Sequence, residues 1–147
     1  MNKQDILVNE LLEKDCWVMD YLPRQVPAEA REGYFKVENY LLNHYEEFDL
    51  RKRFTAVVLK LLCYHKLTVH WGKWVEDPSP ALIAEAIQTI LDNHSGWLNI
   101  LLQEEKALLV FEWDCLNLAL YDPSPDLLEL MEEIARSEGL FLWKAEV

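Results

Sequence analysis

The tetrapeptide Asp-Pro-Ser-Pro occurs twice in the chain, at residues 77–80 and 122–125, and this repeat constrains the fold more than any other feature. Each copy follows an alternating apolar run and precedes an amphipathic helical pattern. The serine hydroxyl can accept a hydrogen bond from a free backbone N–H of the first helical turn. The following proline has no N–H, which costs nothing at the first helical position because the N–H there has no partner within the helix. The repeat therefore predicts a strand, a capped corner and a helix, twice over.

The remaining periodicity indicates further helices and strands. Spacings of three and four residues predict helices at residues 2–14, 34–45 and 49–62, besides those at 80–93 and 125–138, with Asp49 as an N-cap and Gly96 ending the fourth helix. Alternation and short apolar runs predict strands at 16–22, 67–71, 97–102, 107–113, 116–121 and 140–143, with a turn over 71–74. We predict one α+β domain over residues 1–147, a mainly antiparallel sheet packed against several helices, with an internal strand-DPSP-helix duplication.

Composition agrees with a folded chain that is not embedded in a membrane. Hydrophobic residues make up 51% of the sequence, and the apolar runs are too short to span a bilayer. The N-terminus lacks the basic start and apolar segment of a signal peptide. The cysteines Cys16, Cys63 and Cys115 are odd in number and lie in apolar contexts, which is typical of reduced, buried thiols rather than disulfides. We expect a cytoplasmic protein.

Charge is the strongest functional signal in the sequence. The net charge is −12, and the segment from Glu104 to the end holds eleven acidic residues against Lys106, Arg136 and Lys144. A negative field repels phosphate backbones, so nucleic acid is excluded as a partner, and it favours a basic protein partner. Solubility alone is the simpler interpretation of such a charge.

No motif indicates catalysis or a cofactor. The four glycines are isolated, which excludes phosphate-binding loops, and no nucleophile elbow is present. Cys63, His65 and His70 come nearest to a zinc site, but a fourth ligand is missing, so we predict no metal. The two Asp-Pro-Ser-Pro corners could bind anions at helix starts, although their aspartates would repel them. We predict no catalytic residue, no cofactor and no metal ligand.

Several acidic and aromatic residues are candidates for contact with a protein. Glu112 and Asp114 flank Trp113, so alternation places both carboxylates on one side of a strand, where they form either an acid and base pair or a charged rim. Trp71 and Trp74 bracket a glycine turn that cannot bury both deeply, and an exposed Trp near acids is a common binding hot spot. The predicted partner-binding residues are Trp74, Glu104, Glu105, Glu112 and Asp114.

These observations lead to one main hypothesis and two alternatives. In size and acidity the chain resembles small acidic inhibitors and bacterial immunity proteins, a likeness of bulk properties without a shared motif. The main hypothesis is an acidic protein-interaction module, of inhibitor or immunity type, that binds a basic partner. The first alternative is a small enzyme or ligand-binding domain with a pocket between sheet and helices that uses Glu112, Asp114 or His70. The second is an obligate homodimer.

Overall fold

The computed structural model describes residues 2–44, 46, 49–113 and 116–146. Within these residues the helices are α1 (Lys3–Leu11), α2 (Arg31–Leu42), α3 (Leu50–Leu62), α4 (Pro80–Asn93) and α5 (Pro125–Ser137). The strands are β1 (Cys16–Asp20), β2 (Thr68–Trp71), β3 (Lys73–Glu76), β4 (Trp97–Leu102), β5 (Ala107–Glu112), β6 (Asn117–Tyr121) and β7 (Phe141–Lys144). The predicted α+β class is confirmed. No helix of the described part is both long and apolar enough to cross a membrane.

The strands form one sheet in the order β3-β2-β4-β5-β6-β1-β7, and every neighbouring pair is antiparallel. Strand β1 lies between β6 and β7, two strands that are far from it in the sequence. The predicted turn over residues 71–74 is a tight hairpin, because Gly72 takes a φ of 77° and lets β3 fold back on β2. We did not predict β3, because it has only four residues and the first two of them fall within the predicted turn.

Alternation gives the sheet two different faces. We call the side covered by α3, α4 and α5 the core face; its strands contribute Met19, Val69, Ile100, Leu109, Phe111 and Leu118. The opposite side, which we call the open face, carries a smaller cluster in which Val8 and Leu11 of α1 pack on Leu101, Leu108 and Val110. Helix α1 covers only part of the open face, so side chains beside it remain accessible.

The two Asp-Pro-Ser-Pro corners have the predicted chemistry. The hydroxyls of Ser79 and Ser124 each accept a hydrogen bond, from the N–H of Leu82 and of Leu127, over 3.1 Å. The preceding aspartates are both left-handed, with φ of 46° at Asp77 and 55° at Asp122.

The repeat extends beyond the corners to the strands. The N–H of Asp77 donates to the carbonyl of Leu67, just before β2, and the N–H of Asp122 donates to that of Asp15, just before β1. The trio β3-β2-β4 with α4 therefore corresponds to the trio β6-β1-β7 with α5, and β5 lies between the two trios.

Three local expectations need correction. Asp49 precedes α3 as predicted, but its left-handed φ of 54° leaves it without a side-chain cap hydrogen bond. Cys63 is exposed at the end of α3, not buried, because its position lies past the last buried turn of that helix; Cys63 and the half-buried Cys16 are both free thiols. Helix α4 reaches a left-handed residue at His94, two positions before the predicted Gly96, which is also left-handed.

Candidate functional site

A groove of about 440 Å³ lies on the open face between α1 and the strands beside it. Helix α1 packs on the sheet through Val8 and Leu11 and contacts Trp74 of β3, whereas Trp97 at the start of β4 stays exposed. Apolar side chains form much of its wall, namely Val8, Leu12, Trp74, Trp97 and Val110. The groove therefore combines accessible apolar surface with rigid secondary structure.

A network of polar contacts fixes one wall of the groove. The indole Nε1 of Trp74 donates to Oδ1 of Asp5 over 3.0 Å, which joins β3 to α1. Asp5 is itself held by the helix start, because its N–H donates to Oδ1 of Asn2 over 2.8 Å in a capping box. The ring of His70 packs edge-on against Trp74, with centroids 4.9 Å apart. These contacts hold Trp74 in one orientation.

Trp97 and Glu112 form the other wall. They are directly opposite each other in the β4–β5 register, so their side chains project from the open face together. Trp97 is 56% exposed, which is unusual for so large an apolar side chain, and Glu112 is also exposed. An aromatic ring and a carboxylate thus stand side by side at the accessible end of the groove.

The groove carries negative charge beside its apolar wall. Asp5 and Glu112 contribute carboxylates, and none of the described lining residues is Lys or Arg. Within the described part of the chain, no hydrogen bond joins the side chains of His70 and Glu112 to a second titratable group that would orient a catalytic base. The acid and base alternative for Glu112 also involves Asp114, which lies outside the described residues.

The structure brings together only part of the predicted partner-binding set. Trp74 and Glu112 line the same groove. Glu104 and Glu105 lie in the β4–β5 turn, at the opposite end of the strand that ends in Glu112. Asp114 lies outside the described residues.

The two glutamates of the turn have different surroundings. Glu104 lines a separate hollow with Lys66 and Asp77. Glu105 accepts a hydrogen bond from the hydroxyl of Ser124 over 3.4 Å and lies 3.9 Å from Nδ1 of His65. Glu105 therefore belongs to the second Asp-Pro-Ser-Pro corner, and the groove does not include it.

Two residues of the groove, Trp97 and Asp5, are not among the predicted partner-binding residues. Trp97 begins a strand that was predicted from its apolar run. Because Leu98 is buried, side chains that alternate along a strand place Trp97 on the opposite face, and this alternation could have indicated that Trp97 is exposed. Asp5 falls within the helix predicted over residues 2–14, and nothing in that pattern marks it as a site residue. Its contact with Trp74 spans 69 positions and depends on where α1 crosses the sheet, which no local pattern reveals.

Acidic residues also concentrate at one end of the sheet, where β1 and β2 begin and β3 and β6 end. We call this set the acidic rim: the exposed residues Asp15, Glu76, Asp77, Glu104 and Asp122. Lysines at the same end offset part of the charge; Lys144, for example, lies 3.4 Å from Asp15. Further carboxylates lie on α2, α4 and α5, so the rim is an enrichment within a generally acidic surface.

The residues considered for zinc point in different directions. The thiol of Cys63 contacts the carbonyl of Leu59, His65 faces Glu105, and His70 packs on Trp74. Across the described ranges, no group of three or more His, Cys, Asp or Glu side chains is arranged to hold a metal ion. Comparisons with protein-family models, with curated proteins and with solved structures gave no match.

Proposed function

We propose that this protein is an interaction module that binds a basic, partly apolar segment of a protein partner in the groove beside α1. The observation that carries the proposal is the pairing of the exposed Trp97 with Glu112 across neighbouring strands, opposite the fixed Trp74. Aromatic residues in a partly desolvated groove supply most of the energy in typical protein interfaces. The two carboxylates of the groove complement Lys or Arg in the bound segment.

Electrostatics supports the same choice of partner. A net charge of −12, with an acidic rim at one end of the sheet, produces a negative field that accelerates the encounter with a positively charged protein. Charge of this kind steers the approach, whereas the aromatic groove provides the contact that persists. Binding by an acidic module covers the basic surface of its partner, which is how an inhibitor or immunity-type protein acts.

We also propose a cytoplasmic location for this module. The exposed thiol of Cys63 supports it, because an accessible free cysteine is stable in a reducing compartment and prone to oxidation elsewhere.

Binding of short synthetic peptides tests the proposed function. Isothermal titration calorimetry should detect an amphipathic peptide of alternating Leu and Lys, with affinity that falls as salt is raised. A matched peptide with Glu in place of Lys, and one with Ser in place of Leu, should bind at least about tenfold more weakly, because each loses one of the two interactions. Equal affinity for the Lys and Glu peptides would contradict the proposal.

Variants then locate the interaction in the groove. Trp97→Ser and Glu112→Gln should each weaken binding of the Leu/Lys peptide by about tenfold, since one removes the aromatic anchor and the other a charge-assisted contact. Tyr64→Ser is the matched control, because Tyr64 is an exposed aromatic residue just after α3 and lines neither this groove nor the hollow beside α2. Light scattering on the same samples reports the homodimer alternative: a dimer that Trp97→Ser dissociates would assign the groove to a second copy instead.

A further inference from the structure

A second hollow, of about 280 Å³, lies where the end of β1 meets α2. Side chains from several distant segments converge on it: Asp20, Gln25, Arg31, Tyr34, Asn117 and Trp143. Asp20 and Asn117 are cross-strand partners at the edge of this hollow. It is separate from the groove beside α1, with which it shares no lining residue.

Hydrogen bonds fix the wall of the hollow that the end of the chain provides. The indole Nε1 of Trp143 donates to the carbonyl of Leu22 over 3.1 Å, which holds the ring against the segment that follows β1. The N–H of Glu146 donates to Oε1 of Gln25 over 2.8 Å. The aromatic wall is therefore preorganised, which lowers the entropic cost of binding a ligand.

The central feature of the hollow is a buried carboxylate without a counter-ion. Asp20 is only 5% exposed, and burial raises its pKa to about 6, although the N–H groups of Leu22 and Tyr21 oppose this effect. Among the described residues, no Lys, Arg or His forms an ion pair with it, although Arg31 lines the hollow. A buried charge is costly unless it is paired, so the arrangement favours a ligand that carries the missing positive charge.

Glu38 adds negative potential near Asp20, and the exposed Arg31 forms no ion pair with Asp20. The hydroxyl of Tyr34 donates to Oε2 of Glu38 over 2.8 Å, and the negative charge of Glu38 reinforces the raised pKa of Asp20. Burial, and then that same hydrogen bond, raises the pKa of Tyr34, so it stays a neutral phenol. A cation in the hollow would lie near the carboxylate of Asp20 and the indole of Trp143, two groups that attract positive charge.

We infer that this hollow binds the cationic head of an organic amine or guanidinium compound, with Asp20 as its counter-ion and Trp143 as its aromatic wall. The volume restricts the ligand to a small group, because sites for larger organic ligands start at roughly 300 Å³. The same chemistry occurs in a free small amine and in the side chain of a Lys or Arg from another protein. The site is independent of the proposed peptide groove.

Titration with n-butylammonium and with methylguanidinium tests the inference, with n-butanol and butyrate as neutral and anionic controls. The two cations should shift the NMR resonance of the Trp143 indole N–H and lower the pKa of Asp20, because a bound cation favours the carboxylate. Neither control should do so. Binding of n-butanol as strong as that of n-butylammonium would overturn the inference.

Variants identify the residues responsible. Asp20→Asn keeps the shape of the side chain and should weaken binding of the cations at least about tenfold, because a charge-assisted contact is lost. Asp126→Asn, which removes an exposed charge at the start of α5, is the matched control and should bind like the original protein. Trp143→Phe, followed through the titration of Asp20, should weaken binding by a few fold. Unchanged binding by Asp20→Asn would refute the assignment.

The two sources of the cation are distinguished with a Lys-containing peptide. Saturation by free n-butylammonium indicates a small-molecule site, whereas Asp20-dependent binding of the peptide alone indicates the side chain of a partner. Failure of both cations and the peptide to bind the original protein overturns the inference. Because Asp20→Asn leaves the groove beside α1 intact, the Leu/Lys peptide experiment with Trp97→Ser reports on the proposed function separately.

Discussion

Trp74 on an edge strand donates its indole N–H to the carboxylate of Asp5 in the first turn of α1, over 3.0 Å. This single bond links two elements that are distant in sequence and fixes one wall of the groove. The other oxygen of Asp5 accepts from the N–H of Asn2, so one carboxylate serves both the start of the helix and the anchoring of the sheet edge.

Replacing Trp74 with Phe should test the strength of this link. The substitution keeps most of the aromatic packing but removes the donor, and the free energy of unfolding should fall by about 1 kcal/mol. Chemical denaturation measures this loss. In a double-mutant cycle with Asp5→Ala, the effects of the two substitutions should not add, because both remove the same bond. Additive losses would show that the contact contributes nothing to stability.

The two serine caps should make comparable contributions. Ser79→Ala and Ser124→Ala each leave a helix N–H without its acceptor, which should cost about 1 kcal/mol of unfolding free energy. The loss at Ser124 should be at least as large, since its hydroxyl also donates to Glu105. Thermal unfolding measures both, with Ser→Thr at each position as the control that keeps the hydroxyl acceptor. Unchanged stability in both alanine variants would refute the capping role.

Two glycines should respond in opposite ways to alanine. Gly139 has a φ of 71°, and a Cβ there would lie 3.1 Å from Nη1 of Arg53, so Gly139→Ala should cost about 1 kcal/mol, mainly from backbone strain. Gly33 lies in α2, where an added methyl group would meet no atom within 4 Å, and Gly33→Ala should gain roughly 0.5 to 1 kcal/mol. Denaturant midpoints measured side by side check the signs. A stabilising effect at Gly139 would contradict the assigned conformation.

Asp20 should give the protein a specific dependence on pH. Burial raises its pKa from 3.8 to about 6, so the folded chain holds the proton more tightly than the unfolded chain does. Protonated Asp20 therefore stabilises the fold. Its contribution to the free energy of unfolding is fully present below about pH 4 and is lost as the pH rises through 6. Tyr21, Tyr34, Glu38 and Arg31 surround it, and Glu38 strengthens the effect.

Asp20→Asn isolates that contribution. The variant should be more stable than the original protein at pH 7 by roughly 1 to 3 kcal/mol, and the difference should vanish near pH 4, because the original residue is then protonated. Denaturant unfolding across this pH range gives the comparison. A difference that grows as the pH is lowered would show that the carboxylate is stabilised by a partner in the fold.

Much of the fold follows from local chemistry in the sequence. The Asp-Pro-Ser-Pro corners, the first helix and the two strands that form the β4–β5 pair all occur where they were predicted, because each depends on residues a few positions apart. The order of the strands does not follow in this way. The pairing of β1 with β6 and β7 joins segments about one hundred residues apart, and no periodicity encodes which strand lies next to which.

The candidate sites were predictable only in part, for the same reason. Trp74 and Glu112 stand out from composition and alternation, and they do line one groove. Their neighbour Asp5 depends on the side of the sheet on which α1 packs, and its amphipathic pattern does not specify that side. Asp20 looks in the sequence like part of an ordinary strand, since its burial beside Trp143 depends on contacts that span most of the chain.

The position of β1 has a consequence for synthesis on the ribosome. This strand emerges early, yet both of its hydrogen-bonding neighbours belong to the last third of the chain. Until β6 and β7 have been translated, its backbone groups must remain solvated or find temporary partners, and such non-local pairing slows folding. The strands of the trio β3-β2-β4, in contrast, come from one continuous stretch of the chain, so their pairing does not have to wait for β6 and β7.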